Sequence, residues 1–269
     1  MIVGRYQSFE PVADSYDRTR VIPDKAREEI ARVVAREARL TGGGLFLDAG
    51  VGTGRLAVPL ARRHPGQVVG IDIAPAMLAR VGDKDGAAGL SLVRGDLQRL
   101  PFAAGTFQAA MMVHILHLIE QWPLVLREAK RVLAPADGVL FLGVEQGGRS
   151  RLVDFYYQRA RARRLLAPSV GSASLAPVLA SLRRPAFSGG FGANVSQLST
   201  PSLHWERVVP VAQTYDALAL RTYSQMWSIP DAAHAELLSE LTDYAARTFR
   251  GAAPTETLAS RLLLHAVRF

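Results

Sequence analysis

The chain has 269 residues, of which 49% are hydrophobic and none is Cys, and its formal net charge is +8. This length and apolar content are sufficient for one large α/β domain and argue against disorder. The lack of Cys excludes disulfides, thiolate metal sites and Cys nucleophiles, and it is compatible with a cytoplasmic protein. The charge comes almost entirely from scattered Arg, since Lys occurs only at positions 25, 84 and 130, so it is weak support for nucleic-acid binding.

We expect no signal peptide at the start of the sequence. Residues 1–12 carry Arg5 and Glu10 and have no long apolar run, which argues against a signal peptide. No uninterrupted apolar stretch in the sequence reaches the length of about 18 residues that a membrane span needs.

The first predicted element is a helix over residues 24–40. Pro23 and Asp24 mark its start, and it ends at Thr and Gly residues 41–44.

Between residues 45 and 145, apolar strands alternate with helices. Strands are predicted at 45–48, 68–72, 90–96, 107–113 and 138–144, and helices at 55–63, 75–81 and 122–133. This alternation predicts a parallel, doubly wound sheet. Most of the strands are continuously apolar, which is typical of strands covered on both faces.

The pattern changes after residue 145. The sequence predicts a helix at 149–166, irregular structure at 168–200, a strand at 203–211, helices at 217–224 and 232–248, and a closing strand at 261–269. No linker divides the chain, so we expect one domain over 1–269. Its core is expected at about 40–145, completed by 203–211 and 258–269, and a cap or lid is expected at about 1–23, 146–200 and 212–250.

A glycine-rich loop follows the first predicted strand and leads into a helix. It reads Asp48-Ala49-Gly50-Val51-Gly52-Thr53-Gly54. Glycines allow a sharp turn and a close approach to a ligand, and the next helix offers free N–H groups at its start. The spacing differs from the G-x-G-x-x-G of dinucleotide folds, because Arg55 stands where the third glycine would be, and the Gly-Lys-Ser/Thr of a P-loop is absent. The leading acid would repel a pyrophosphate but suits a ligand with an ammonium group.

Two further carboxylates are predicted at strand ends. Asp72 ends the second predicted strand and Asp96 ends the third. Ligands of open α/β sheets bind at the carboxyl ends of parallel strands, so these acids should share an edge with Asp48. A carboxylate in the place of Asp72 can accept both hydroxyls of a ribose, and one in the place of Asp96 can accept from an adenine amino group.

With these motifs in order, the chain resembles the class I S-adenosylmethionine-dependent methyltransferases, in the small-molecule branch of ubiquinone-biosynthesis type (methyltransferase type 11). The resemblance covers roughly residues 9–145 and rests on residues 47–54, Val69-Gly70-Ile71-Asp72 with Met77-Leu78, Gly95-Asp96-Leu97 before Leu100-Pro101-Phe102, residues 107–120 and residues 126–133. It implies a seven-stranded, mostly parallel Rossmann-like sheet with an antiparallel C-terminal strand and a helical cap, and a core that binds S-adenosylmethionine.

The resemblance also implies a role for each site residue. Asp48, Ala49 and the backbone of Gly50, Gly52 and Gly54 would hold the methionine part of the cofactor. Asp72 would bind the ribose hydroxyls, and Ile73, Met77, Asp96 and Leu97 would contact the adenine. Val113 and His114 would lie nearest the methyl group, and Tyr16 would close over the cofactor.

His114 and His117 leave their roles open. Their spacing could present a metal pair on a helix, but no acid stands at a suitable spacing, so we predict no metal site. His114 could act as a general base for a hydroxyl or an amine, or it could be a hydrogen-bonding strand end. The sequence favours neither role.

The methyl acceptor is predicted to be a small molecule. Transfer from a sulfonium is a direct displacement, which needs alignment and exclusion of water more than it needs a catalytic group. Cytosine C5 methylation requires a Cys nucleophile, and methylation of base amino groups carries an Asn/Asp-Pro-Pro-aromatic motif where this chain has Val113-His114-Ile115-Leu116. We expect methylation at oxygen, nitrogen or carbon, with S-adenosylhomocysteine as product, by a monomer or homodimer. The alternatives are an RNA or tRNA methyltransferase and a non-catalytic S-adenosylmethionine-binding protein.

Overall fold

The structure is a computed structural model, and it describes residues 9–40, 43–82, 84, 86–167, 171, 174–186, 189–198 and 203–269. Some sequence predictions lie outside the described residues. These are the parts of the predicted cap at 1–8, 168–170, 172–173, 187–188 and 199–200, and residues 41–42 of the predicted helix end.

The described residues form alternating strands and helices up to residue 147 and a more irregular order beyond it. The strands are β1 Phe46–Ala49, β2 Val68–Asp72, β3 Leu90–Arg94, β4 Ala109–Val113, β5 Val139–Gly147, β6 Asn194–Leu198, β7 His204–Pro210 and β8 Thr255–Arg268. The helices are α1 Ala13–Thr19, α2 Asp24–Glu37, α3 Ala57–Arg63, α4 Pro75–Gly82, α5 Trp122–Val132, α6 Arg151–Ala162, α7 Leu175–Arg183, α8 Val211–Ala219 and α9 Asp231–Thr248.

All the named strands belong to one sheet, in the order β3-β2-β1-β4-β5-β8-β6, with β7 also paired to β8. Strands β1 to β5 pair in parallel, whereas β8 runs antiparallel to β5, β6 and β7. The predicted fold class, a mostly parallel α/β sheet with an antiparallel C-terminal strand, is therefore confirmed. The sheet has eight strands among the described residues rather than the expected seven, because β6 adds to its edge.

Hydrophobic layers cover both faces of the parallel strands. Successive side chains of a strand point to opposite faces, so Phe46 packs in a cluster with α2 and α3, while Leu47 packs in a second cluster with α5 and α7. Phe141 and Leu142 divide in the same way on β5. This double covering explains why the strands read as continuous apolar runs.

The segment predicted as irregular, 168–200, contains α7 and β6, so that part of the prediction was wrong. Pro177 and the small residues around it are typical of a loop, so no helix was predicted there. Pro is nevertheless tolerated in the first turn of a helix, and Val178 and Leu182 are buried on the inner face of α7. Strand β6 is a half-exposed edge strand without a strong apolar pattern. It lies within the predicted cap range yet pairs with β8 as part of the sheet.

Helices α6, α8 and α9 form a separate hydrophobic cluster over the carboxyl end of the sheet. Ser150 caps α6 by accepting a hydrogen bond from Leu152 N at 3.2 Å. Inside the cluster, the Tyr156 hydroxyl lies 2.7 Å from Nδ1 of His234. Helix α8 begins at Val211, whereas the predicted helix began at 217. Within the described part of the chain, no helix has the length and apolarity to cross a bilayer.

Candidate functional site

The carboxyl ends of the parallel strands meet at one edge of the sheet and bring polar side chains together. Asp48 and Asp72 lie within β1 and β2, Asp96 lies two residues after the end of β3, and His114 directly follows β4. Glu145, near the end of β5, lies at the same edge but was not identified from the sequence. The prediction ended this strand at 144, one residue short of the acid, although the reasoning applied to Asp72 and Asp96 would have found it.

The glycine-rich loop turns sharply through backbone conformations that favour glycine. Gly50, Gly52 and Gly54 have φ values of 88°, 54° and 75°. The turn is held to β2, because the N–H groups of Gly50 and Val51 donate to Ile71 O at 2.8 and 3.0 Å. A Cβ on Gly50 would approach Ile115 Cγ1 to 2.9 Å, whereas a Cβ on Gly52 would meet nothing within 4 Å. The loop thus leaves open space beside Gly52.

The Asp72 carboxylate orients the loop. Its Oδ2 accepts from Gly52 N at 2.9 Å and its Oδ1 accepts from Ala74 N at 3.0 Å. Burial raises the pKa of Asp72, and the backbone hydrogen bonds, including those from Ala74 and Gly52, oppose this shift by stabilising the charged form. Each oxygen can accept at least one more hydrogen bond, so the carboxylate can serve the loop and a ligand together.

Asp48 is buried at the start of the loop. The residue is 5% exposed. Burial, and then the neighbouring Asp72 carboxylate, raise the pKa of Asp48 to about 7, and the Arg55 cation opposes them only in part. A carboxylate held in this way is stabilised by any cation that approaches it.

A small cavity, here called the slot cavity, opens beside the loop. It is lined by Gly50, Asp72, Ile73, Gly95, Asp96, Leu97, Gln98, Ile115, Leu118 and Ile119. The structure therefore brings five of the sequence candidates to one cavity: Gly50, Asp72, Ile73, Asp96 and Leu97. It adds an apolar wall from the segment after β4 that sequence reasoning missed, because Ile115, Leu118 and Ile119 read there as ordinary core residues. The Asp96 carboxylate accepts from Gln98 N at 2.9 Å.

Several candidates lie near the loop without lining this cavity. Asp48 and Ala49 are buried at the end of β1, and Val113 ends β4. Met77 is 3% exposed and packs against Ala13 and Ala74, next to Tyr16. Met77 thus supports the N-terminal helix α1.

His114 has a strained backbone conformation, and hydrogen bonds fix both its backbone N–H and its ring. Its φ of 57° is unusual for a residue with a side chain. Its N–H donates to Gly143 O at 3.1 Å, and its Nε2 accepts from Glu145 N at 2.7 Å. Because a backbone N–H can only donate, the proton of the neutral ring is on Nδ1. Burial, and then the Arg55 cation, lower the pKa of His114 to about 3, and burial lowers that of His117 to about 4.

An N-terminal strap, residues 9–22, ties the loop to the helical cap. On the core side, Glu10 Oε1 accepts from Ala76 N at 3.1 Å, and Asp17 Oδ1 accepts from Thr53 Oγ1 at 2.5 Å. On the cap side, Arg20 donates to Thr222 O at 3.2 Å. The strap therefore spans the gap between the two parts of the structure.

Tyr16 faces inward from the strap. Its ring packs edge-on to Phe9 at 5.5 Å, and the guanidinium groups of Arg20 and Arg55 lie 4.7 and 5.1 Å from its centroid. These cation–π contacts hold the ring beside the residue that follows the glycine-rich loop.

A larger cavity of about 540 Å³, here called the cap cavity, lies between the strap, the sheet edge and the cap. Tyr16 and His114 line it, together with Glu145 from β5, Tyr157 from α6 and Arg207 from β7. His114 lines the cap cavity while the next residue, Ile115, lines the slot cavity, so the two cavities adjoin at the end of β4.

A family profile and the relatives found by sequence comparison are both described as methyltransferases. The family profile Methyltransf_11, described as a methyltransferase domain, matches residues 47–142. The ubiquinone/menaquinone biosynthesis C-methyltransferase UbiE from Syntrophotalea carbinolica is 31% identical over 167 residues, which cover 61% of this chain and 69% of the relative. The chain belongs to the class I S-adenosylmethionine-dependent methyltransferases. A second relative of this methyltransferase, the malonyl-[acyl-carrier protein] O-methyltransferase from Halorhodospira halophila, is 34% identical over 50% of the chain and 46% of the relative.

The fold of this methyltransferase also matches solved structures. The crystal structure of the YcgJ protein from Bacillus subtilis aligns with a TM-score of 0.55 at 19% identity, over 89% of this chain and 98% of that one. At this identity the likeness concerns the fold alone. The family match runs from β1 to the first half of β5 and includes Asp48, Asp72 and Asp96, while Glu145 and the cap lie outside it.

Proposed function

We propose that this methyltransferase transfers the methyl group of S-adenosylmethionine to a small molecule bound in the cap cavity, at an oxygen, nitrogen or carbon atom. The observation that carries the proposal is the junction of the two cavities at residues 114–115. The slot cavity measures about 30 Å³ and has to widen to admit the adenine, and a cofactor bound there would direct its methyl group towards the cap cavity past residues 114–118, where residues lining the two cavities follow one another in the chain. The named relatives, which act in quinone biosynthesis and on malonyl-acyl-carrier protein, favour a small acceptor over RNA.

The residues present fit the cofactor part by part. Burial, and then the Asp72 carboxylate, raise the pKa of Asp48 to about 7, so an approaching ammonium group would stabilise the charged form, and the carboxylate suits the ammonium group of the methionine part. Ala49 and the backbone of Gly50, Gly52 and Gly54 would flank that part. Asp72 suits the ribose hydroxyls, because its oxygens are already aimed by Gly52 and Ala74.

The adenine and methyl ends complete the proposed cofactor site. Ile73, Leu97 and Asp96 would address the adenine in the slot cavity, and Val113 and His114 would stand nearest the methyl group. Tyr16 and the strap would close over the cofactor. We further propose that the single domain divides into a cofactor-binding core at about 40–145 with 203–211 and 258–269, and a cap from the remaining segments, with β6 reassigned to the core.

When bound, S-adenosylmethionine supplies a methyl group activated by the positive charge of its sulfonium. The protein then has to align the acceptor, exclude water and accept a proton where the acceptor is a hydroxyl or an acidic C–H group. The strap and cap enclose the cap cavity, and Glu145 is the carboxylate among the described residues that line it. His114 is unsuited to take the proton, since its free lone pair already accepts from Glu145 N.

The proposed function is tested by incubating the protein with methyl-labelled S-adenosylmethionine and a panel of hydroxy acids, phenols, enols and amines. We expect stoichiometric formation of S-adenosylhomocysteine and labelled acceptor for at least one class. Tight cofactor binding with no transfer to any class would instead favour the non-catalytic alternative. Transfer to bulk tRNA but not to the panel would favour the RNA alternative.

Two glycines allow a matched test of the loop. Gly52 and Gly66 have φ values of 54° and 76°, and a Cβ on either would meet nothing within 4 Å. Ala at either position should cost about 1 kcal/mol of stability from left-handed backbone strain. We expect Gly52→Ala to weaken S-adenosylhomocysteine binding at least ~10-fold, because the added methyl group enters the open space that the loop leaves for a ligand, while Gly66→Ala leaves binding unchanged. Calorimetry and denaturant unfolding measure both effects, and equal affinities of the two variants would argue against the loop as binding site.

The proton acceptor is tested with an acceptor found in the panel. Glu145→Gln should lower kcat by about 100-fold, the usual contribution of a general base, with little change in cofactor affinity. His114→Asn should retain kcat to within about tenfold, because Asn tolerates the positive φ of this position and Glu145 is left in place. A loss in His114→Asn that matches the loss in Glu145→Gln would make His114 the base.

A further inference from the structure

The walls of the cap cavity carry more positive than negative charge. Arg20, Arg55, Arg149 and Arg207 line it, while Glu145 is the acid among the described residues that do so. The two neighbouring histidines are neutral at physiological pH, because burial lowers the pKa values of both well below 7. A cavity with this charge attracts anions and disfavours cationic ligands.

Two of the four arginines are already engaged by the strap. Arg20 donates to Thr222 O at 3.2 Å and lies over the Tyr16 ring, and Arg55 donates to Arg20 O. Both adjoin the glycine-rich loop, so they form the cofactor side of the cavity. Their guanidinium groups have structural partners and do not by themselves require an anion.

Arg207 is different. It projects from β7 on the face that also carries Val209, and it lines the cavity beside Leu258 of the paired strand β8. Its Nε is buried and donates to no described group. A buried donor of a charged group without an acceptor is unfavourable by several times the energy of an ordinary hydrogen bond, so such an atom marks a place where an acceptor is missing.

Arg149 stands at the rim of the same cavity, in the segment between β5 and α6. Neither Arg149 nor Arg207 forms an ion pair with a carboxylate among the described residues, in contrast to Arg151, which pairs with Glu256 at 3.0 Å. These two cations therefore remain available to a ligand.

Two phenols complete this end of the cavity. Tyr157 and Tyr223 line it, and burial raises the pKa of each. Both hydroxyls therefore stay protonated at neutral pH and can donate. The Arg20 and Arg207 cations act on Tyr223, and the Tyr223 phenol acts on Tyr157, which indicates that these groups share one electrostatic neighbourhood.

We infer that the methyl acceptor carries an anionic group, a carboxylate or a phosphate, which Arg207 and Arg149 bind with the hydroxyls of Tyr157 and Tyr223. This inference rests on the proposed function and specifies its acceptor class. Glu145 and His114 at the sheet edge then receive the part of the acceptor that is methylated. An uncharged acceptor would leave the buried Nε of the Arg207 cation without an anionic partner, so the cavity selects against it.

The test uses the protein saturated with S-adenosylhomocysteine, so that the cofactor site is filled. Benzoate, phenyl phosphate and benzamide are titrated separately, with binding followed by ligand-observed NMR. The variants are Arg207→Gln, Arg149→Gln and, as a control for the loss of one positive charge, Arg161→Gln on the exposed face of α6. Cofactor affinity is measured by calorimetry for every variant.

We expect at least one of the two anions to bind ~10-fold or more tightly than benzamide, because a charge-assisted contact to Arg discriminates by about that factor. Arg207→Gln should abolish this preference, Arg149→Gln should reduce it, and Arg161→Gln should leave it intact. Whichever anion shows the larger preference identifies the group as carboxylate or phosphate.

Two results would overturn the inference. The first is equal binding of both anions and benzamide to the wild type, and the second is an anion preference that survives in Arg207→Gln. A loss of cofactor affinity in Arg207→Gln would also overturn it, by assigning this arginine to the cofactor. Failure of the wild type to bind S-adenosylhomocysteine at all is a separate outcome, which contradicts the proposed function itself.

Discussion

Asp72→Ala should weaken S-adenosylhomocysteine binding by about 100-fold or more, since it removes charge-assisted hydrogen bonds to both the ribose and the loop. The wild-type carboxylate accepts from Gly52 N at 2.9 Å and from Ala74 N at 3.0 Å. The substitution leaves both N–H groups without their acceptor and removes one attachment of the loop to β2, while the hydrogen bonds from Gly50 and Val51 to Ile71 O remain. Isothermal titration calorimetry measures the effect directly.

The matched control is Asp137→Ala, which removes an exposed carboxylate from the turn before β5. It should bind S-adenosylhomocysteine as the wild type does. Thermal unfolding of both variants separates loss of binding from loss of fold. An Asp72→Ala protein that is folded and retains wild-type affinity would contradict the assignment of this carboxylate to the ribose.

Asp48→Asn should have opposite effects on stability and on binding. The folded-state pKa of Asp48 is raised from 3.8 to about 7, so the folded protein holds this proton more tightly than the unfolded chain does. Stability from this group is therefore fully present below pH 4 and declines as the pH rises through 7. At alkaline pH the neutral Asn should stabilise the ligand-free protein by on the order of 1–4 kcal/mol and flatten this decline, as denaturant unfolding across pH can measure.

The same substitution should weaken cofactor binding by about 10-fold or more, because the ammonium group loses its counter-ion. Methylthioadenosine, which lacks the amino-acid part, is the matched probe and should bind Asp48→Asn and wild type alike. Wild-type affinity for S-adenosylhomocysteine should rise with pH up to about 7 and then level off, since the ammonium group favours the ionised carboxylate. Equal weakening of both ligands, or no pH dependence in the wild type, would contradict the proposed contact.

The core could be predicted from sequence because each local pattern there agrees with its burial. Strand β2 was predicted at its observed bounds, since Val68 to Ile71 are covered on both faces and the acid that follows ends the apolar run. The grouping of the acids at one edge of the sheet could be inferred because the carboxyl ends of parallel strands lie side by side. The shared position of Asp48, Asp72 and Asp96 at one edge of the sheet could therefore be predicted from the sequence.

The cap and its cavity were not readable in this way. Strand β6 and helix α7 form through pairing with β8 and packing on the sheet, which are long-range contacts that leave little local pattern. In the sequence, Arg207 is one of many scattered arginines, and it is distinguished by a buried Nε without a partner in the wall of the cap cavity. Likewise, the hydrogen bond from Glu145 N to His114, which argues for a positioning role for the histidine, depends on a pairing that the sequence does not reveal.

The most direct test of the whole account is a crystal structure of the protein with S-adenosylhomocysteine. We expect adenine in a widened slot cavity, ribose hydroxyls on Asp72, the ammonium group at Asp48, and the sulfur directed past His114 into the cap cavity. Adenine bound elsewhere, or a sulfur atom facing away from the cap cavity, would contradict it.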